Sequence, residues 1–237
     1  MSSELRVFAD ATAAAEACGA EILRVLAAAR DARGVAALAV SGGTTPRIMF
    51  EWMARQPFDW TGIQLFWVDE RCVPMDDDQS NYRMTRLAML VSLGLPAAQI
   101  HRVRTELPPD EAAVAYADEI RTLLGDTPVF DVIQRGMGPD SHTASLFPGE
   151  PLIADRTGIA ALVWVEKFGQ HRVTLLPGVL ERARLTVHLV TGADKREALQ
   201  GVLRGPVDYT ARPAMISSPE MIWFLDKVSA AGVNPPA

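Results

Sequence analysis

The sequence predicts an α/β fold, one mainly parallel β-sheet with helices on both faces. Three observations carry this. Short apolar runs alternate with amphipathic stretches of helical length along most of the 237 residues. One run, Val35 to Val40, is apolar throughout, as a strand covered on both faces is. Glycine-rich or acidic turns come after several of the runs, which suits strand-to-helix connections in repeated βα units.

The elements run in this order. Residues 11–30 read as an Ala-rich surface helix, interrupted by Glu16, Glu21 and Arg24 and so too polar to span a bilayer. Val35-Ala-Ala-Leu-Ala-Val40 is a buried strand that ends in Ser41-Gly-Gly43. Pro46 to Arg55 is a helix with proline in its first turn, where it is tolerated. Ile63 to Val68 is the next strand. Ser80 to Leu93 is a helix capped by Ser80 or Asn81. Pro109 to Leu124 is a helix entered through Pro-Pro-Asp-Glu. Phe130 to Gln134, Ile159 to Val165 and Arg172 to Leu176 are strands, and Pro177 to Ala183 is a short helix. Leu185 to Val190 is a strand and Ala193 to Arg204 a helix. Glu220 to Leu225 suits a last strand or the start of a helix, and Gly232 to Ala237 a loose tail. With no long linker, biased tract or repeat, residues 1–237 are expected to form a single domain.

Composition narrows the function. The net charge of −6 and pI near 5.3 argue against nucleic acid, which demands clustered Lys and Arg. An anion then needs a local basic pocket. Cys18 and Cys72 are far apart and lack metal-ligand spacing, which suits a reducing compartment. The opening Met-Ser-Ser-Glu-Leu-Arg has no apolar segment behind a basic start, so a cytoplasmic protein without membrane contact is expected. A monomer is expected.

In open parallel sheets, ligands bind beyond the carboxyl ends of the strands. Four loops there carry chemistry. Ser41-Gly-Gly-Thr-Thr-Pro46 offers backbone N–H groups and a helix N-terminus to an anion, with Gly42, Gly43, Thr44 and Thr45 as candidates. The competing reading is a tight turn with Thr44 or Thr45 as helix cap. Asp69-Glu-Arg-Cys-Val-Pro74 brings Arg71, whose fork suits a phosphate and which Asp69 and Glu70 are placed to orient. Gly136-Met-Gly-Pro-Asp-Ser-His142 brings Asp140 and His142, and imidazole titrates near neutrality. A solvated His in an ordinary turn competes with the general-base reading. Thr191-Gly-Ala-Asp-Lys195 adds Lys195 as a second cation. Gly136-x-Gly138 lacks the third glycine of a dinucleotide fingerprint, and Asp76-Asp-Asp78 lacks the glycine and distal Glu of a calcium loop. Neither cofactor nor metal is expected. His188, among apolar neighbours, reads as a core histidine, and Cys72 as an inert small side chain.

Taken together, Ser41-Gly-Gly-Thr-Thr-Pro46, Asp69-Glu-Arg-Cys-Val-Pro74, Ser80-Asn-Tyr82, Gly136 to Gly149, Arg172-Val-Thr-Leu175 and Leu189-Val-Thr-Gly192 with Lys195 resemble the 6-phosphogluconolactonases. These lie within the wider glucosamine-6-phosphate isomerase/deaminase-like group. The resemblance implies a Rossmann-like sheet and hydrolysis of a sugar-phosphate lactone, 6-phospho-D-glucono-1,5-lactone. It implies His142 as the base that activates water; Asp140, two residues before it, is placed either to orient His142 or to brace the loop. It implies that Arg71, Arg172, Lys195 and the glycine turn hold the phosphate. The sequence departs from the family at Ser141, where glycine is usual, and at Gln134-Arg135, where apolar residues are usual. If position 141 needs a positive φ, Ser costs about 1 kcal/mol relative to Gly. The related deaminases carry a Glu five residues after the loop His; here Phe147 stands there and transfers no proton. A sugar-phosphate deaminase and a non-catalytic sugar-phosphate-binding module are the alternatives.

Overall fold

The structure, a computed structural model, describes residues 2–233. β1 (Ser2–Phe8) leads into α1 (Ala11–Arg33). The helix begins where the Asp10 carboxylate accepts from the Ala13 N–H and ends at Gly34, whose φ of 78° suits glycine. β2 (Ala36–Val40), α2 (Thr44–Met53), β3 (Ile63–Trp67) and β4 (Asp69–Arg71) come next. The helix over 81–93 is α-helical at Asn81–Thr85 (α3) and Val91–Leu93 (α4), with a π-helical turn at Arg86–Leu90 between them. Then come β5 (Ile100–His101), α5 (Pro109–Leu124), β6 (Val132–Arg135), β7 (Ala160–Val165) and β8 (Gln170–Leu175). The chain continues with α6 (Pro177–Arg182), β9 (Leu185–Val190), α7 (Arg196–Arg204) and β10 (Glu220–Asp226).

Seven strands form the main sheet in the order β1-β10-β9-β6-β2-β3-β5, and every neighbouring pair is parallel. β4, β8 and β7 form a separate antiparallel sheet. Alternate residues of β2 enter different cores. Ala36, Leu38 and Val40 pack with α1 and α2, while Ala37 and Ala39 face α5 and β8. This two-sided burial explains why β2 is apolar throughout. Each fully buried Leu, Ile or Phe contributes about 1.5–3 kcal/mol. α7 covers Val190, Trp223 and Leu225 on the same face as α5.

The predicted fold class is observed, with local differences at β1 and α2 and one open reading decided. β1 was not expected, because Ser2 to Phe8 alternates charge with apolar residues and has no turn before it. Residues 220–226 are a strand, the first of the two readings. α2 starts at Thr44, two residues earlier than expected, with Gly43 rather than a threonine side chain at its cap.

Gln134 and Arg135, unexpected at the end of a strand, are fully buried. Gln134 Oε1 accepts from the Ser41 N–H at 2.9 Å, which ties the end of β6 to the glycine turn. Arg135 donates from Nη2 to the Ile216 carbonyl at 2.6 Å, and burial pulls its guanidinium down to about 9. Beside it, His188 stacks on Trp223 with ring centroids 3.8 Å apart. Burial, with Arg135 nearby, drives its pKa well down, so His188 is a neutral core histidine.

Strand order decides where a ligand fits. From β2 the chain proceeds outward through β3 and β5, then returns to β6 on the other side of β2. The loops after β2 and β6 therefore diverge, leaving a crevice beyond their carboxyl ends. Among the described residues, no helix is long and apolar enough to cross a membrane.

Candidate active site

A cleft of about 480 Å³ occupies that crevice. Gly42, Gly43, Thr44, Thr45, Arg71, His142, Arg172 and Lys195 all line it. Asp140 stands at its edge, bonded to His142. Residues up to 153 positions apart in sequence, Gly42 and Lys195, meet at one end of the sheet. A larger groove of about 920 Å³ runs along α5. Asp110, Glu111, Asp118 and Glu119 line it beside Arg104, a poor match for an anionic ligand.

The loop after β6 is built to hold one imidazole. Asp140 Oδ1 lies 2.5 Å from His142 Nδ1 and 3.3 Å from the His142 backbone N. With Nδ1 on the carboxylate, Nε2 is the ring nitrogen left for chemistry. The Phe147 ring stacks on the imidazole with centroids 4.2 Å apart. Burial lowers the His142 pKa below its ordinary value, while Asp140 and Asp69 pull it up and Arg172 pushes it down. Burial works against the Asp140 charge, but the His142 ring and N–H, together with Lys167, outweigh it and hold the carboxyl at about 2. The pair is thus a neutral imidazole on an ionised carboxylate at neutral pH.

Two backbone features make this turn. A Cβ on Gly138 would lie 2.0 Å from His142 Nδ1 and 2.6 Å from Asp140 Oδ1, so the loop folds back only over a glycine. Ser141 has φ 66° and Ala144 φ 55°, both left-handed. Each costs about 1 kcal/mol. Neighbouring bonds hold them: the Ser141 carbonyl accepts from the Ala214 N–H at 3.0 Å, and Gly138 N–H donates to the His142 carbonyl at 2.9 Å. The N–H groups of Gly138, Ser141 and His142 are all bonded within the turn.

A pair of guanidiniums lines the same cleft. Arg71 on β4 and Arg172 on β8 share one antiparallel rung. Two like charges on one rung repel, and burial with Arg71 alongside pulls the Arg172 pKa down, against Asp69 and Glu70. Such a pair gains most from an anion between its forks. Arg71 is braced from Nη1 to the Gln79 carbonyl at 2.5 Å. Glu70 does not orient it. That buried carboxylate accepts from the backbone N–H groups of Arg71, Asn81 and Tyr82 at 2.7–2.8 Å and from the Ser80 hydroxyl at 3.2 Å. Burial pushes its pKa up and the three N–H groups pull against that. Asp69 accepts from the Ser145 hydroxyl at 2.7 Å and so clamps the β6 loop to β4.

The glycine turn completes the cleft. Gly43 has φ 125°, and a Cβ on Gly42 would strike Asn81 Oδ1 at 1.8 Å. Thr45 Oγ1 shares a hydrogen bond with Thr191 Oγ1 at 2.7 Å, joining the loops after β2 and β9. Lys195 lies in a 3-10 turn ahead of α7, with Asp194 at 2.9 Å.

All the residues expected from sequence thus meet around one cleft. Sequence reasoning missed Lys167, 3.2 Å from Asp140 Oδ2, and the Phe147 stack on His142. Asn81 was expected as one of two candidate helix caps; Ser80 is the cap, and Asn81 Nδ2 donates to the Asp69 carbonyl at 2.9 Å beneath the glycine turn. For Lys167 no local signal exists, since a lysine in a hairpin tip is ordinarily solvated. Among the described residues, no group of His, Cys, Asp and Glu is placed to hold a metal ion.

Comparisons with known proteins agree with this fold. Residues 9–223 match the family described as glucosamine-6-phosphate isomerases/6-phosphogluconolactonase. The chain is 39% identical over 210 residues to the 6-phosphogluconolactonase of Synechocystis sp., covering 86% of this chain and 87% of that protein. It superposes on the crystal structure of a devB protein with a TM-score of 0.90 at 32% identity, covering 98% and 100% of the two chains. For the 6-phosphogluconolactonase of Thermotoga maritima the TM-score is 0.84 at 27% identity, with 95% and 100% covered. The chain belongs to the glucosamine-6-phosphate isomerase/6-phosphogluconolactonase family.

Proposed function

We propose that the protein hydrolyses 6-phospho-D-glucono-1,5-lactone to 6-phospho-D-gluconate, with His142 as general base. The observation that carries this is that one imidazole, oriented by a carboxylate 2.5 Å away, and two rung-paired guanidiniums line a single cleft. Three of the 6-phosphogluconolactonases among its relatives are 34–40% identical to this chain.

The mechanism needs one proton-transfer group. A water oxygen attacks the lactone C1 as His142 Nε2 takes its proton. The tetrahedral intermediate collapses, the bond from C1 to the ring oxygen breaks, and the imidazolium returns the proton to that oxygen. Such general acid–base catalysis contributes typically about 10²–10⁴-fold. Asp140 fixes the tautomer and stabilises the imidazolium. Arg71, Arg172, Lys195 and the turn at Gly42 to Thr45 bind the phosphate, and that remote binding energy holds C1 against the water. Deamination of an amino sugar phosphate needs a further acid–base group, and Phe147 beside His142 supplies none.

The test is the rate of acid release from the phosphorylated and unphosphorylated lactones, with spontaneous hydrolysis subtracted, in the wild type and His142→Gln. The reading predicts a kcat loss of about 10²-fold or more in the variant and poor turnover of the unphosphorylated lactone. A variant above half the wild-type rate, or equal kcat/KM for the two lactones, overturns it.

A further inference from the structure

The β7–β8 hairpin reaches the dyad. At its tip, in the 3-10 turn Glu166–Phe168, Lys167 Nζ lies 3.2 Å from Asp140 Oδ2. Phe168 meets Phe147 edge-on with centroids 6.1 Å apart, and Phe147 is the ring stacked on His142. Arg172, further along the hairpin, lies over the Phe168 ring at 4.8 Å and the Phe147 ring at 5.8 Å. The Asp140 carboxylate is therefore divided, with Oδ1 on the imidazole and Oδ2 on the ammonium.

We propose that Lys167 is a positioning residue for the hydrolysis, holding the second Asp140 oxygen and offsetting with its charge the carboxylate's hold on a proton at His142. The proposal rests on the reading of His142 as the base.

The physical problem is one of sign. A carboxylate on Nδ1 fixes the ring but also favours the imidazolium, and an imidazolium takes no proton from water. The charged groups facing His142 are Asp140 from its own loop, Asp69 from β4 and Arg172 from β8. Two favour the proton and one opposes it. Lys167 opposes it too, and does so at Asp140, the carboxylate bonded to the ring. Asp140 keeps its place without Lys167, because Oδ1 also accepts from the His142 backbone N–H at 3.3 Å. Removing Lys167 thus alters the field at the ring and leaves the bond between Asp140 and His142. The ammonium is half-exposed, so water screens it and its effect on His142 is modest.

The test is a charge series at one position, Lys167→Arg, Lys167→Met and Lys167→Glu. His142 is titrated by NMR of its ring protons, assigned with His142→Gln, and kcat/KM for the phosphorylated lactone is measured against pH. The His142 midpoint should rise by about half a pH unit in Lys167→Met, rise further in Lys167→Glu, and stay in place in Lys167→Arg. The acid limb of kcat/KM should move with it, so that below the midpoint Lys167→Met is about threefold slower while the high-pH plateau is kept. A midpoint that stays or falls in Lys167→Met, or an arginine variant that behaves like the methionine one, overturns the proposal. If the NMR series runs as expected while the wild type hydrolyses no lactone, the role of Lys167 at Asp140 stands and the lactonase reading falls.

Discussion

Gly138→Ala is the sharpest probe of the dyad. The new Cβ would lie 2.0 Å from His142 Nδ1, 2.1 Å from Cε1 and 2.6 Å from Asp140 Oδ1, against an ordinary contact of 3.4–4 Å. The ring and the carboxylate must both retreat, the ring by roughly 1 Å or more, and a misplacement of that size costs about 10²-fold in rate. Gly138 does not have a positive φ, so alanine adds no backbone strain there. The loss should therefore fall on kcat, with KM changed little, because Arg71, Arg172 and Lys195, proposed above to bind the phosphate, lie on other segments. Gly136→Ala is the matched control: its Cβ meets nothing within 4 Å, and the dyad stays in place. The assay is acid release at saturating lactone, with circular dichroism and a urea midpoint for each variant. A folded Gly138→Ala enzyme within threefold of the wild-type kcat would refute the argument that this glycine exists to admit the imidazole.

Two further predictions concern the walls of the cleft. Arg71→Ala and Arg172→Ala should each lower kcat/KM by roughly 10–100-fold, since a lost charge-assisted contact costs about 1.5–3 kcal/mol; steady-state kinetics on the phosphorylated lactone measure this, and Arg71→Ala should leave turnover of the unphosphorylated lactone nearly unchanged. Glu70→Ala should cost about 3–5 kcal/mol of stability in urea unfolding, because it strips three backbone N–H groups and the Ser80 hydroxyl of a buried acceptor.

Much of the site was legible because parallel strands announce themselves. β2, β3 and β9 are largely covered on both faces, so they read as mostly apolar runs, and the loop leaving the carboxyl end of such a run stands at the ligand-binding edge. The dyad could be named from one loop, since Asp140 and His142 are two residues apart. The rung that sets Arg71 beside Arg172 could not, because antiparallel register between distant strands leaves no trace in local pattern. Arg172 was reached only through resemblance. Lys167 lies 27 residues from Asp140 and gives no local sign of the contact. The conditional reading of Ser141 met its condition, with φ 66°. Glu70 shows the opposite lesson: adjacency to Arg71 suggested an ion pair, but its side chain turns inward to satisfy the first turn of α3.

The pairing of β1 with β10 bears on how the chain is made. Ser2 to Phe8 leaves the ribosome long before its parallel partner, Glu220 to Asp226. At translation rates of about 5–20 residues per second, β1 waits roughly 10–40 s for its neighbour. During that wait, α1 has not yet covered Ile222 and Phe224 of β10, with which it shares a core. Closure of this side of the sheet is therefore a late event in synthesis, and it joins two segments far apart in sequence. Nascent chains stalled before residue 220 should keep β1 open to proteolysis while β2 and β3 are already protected.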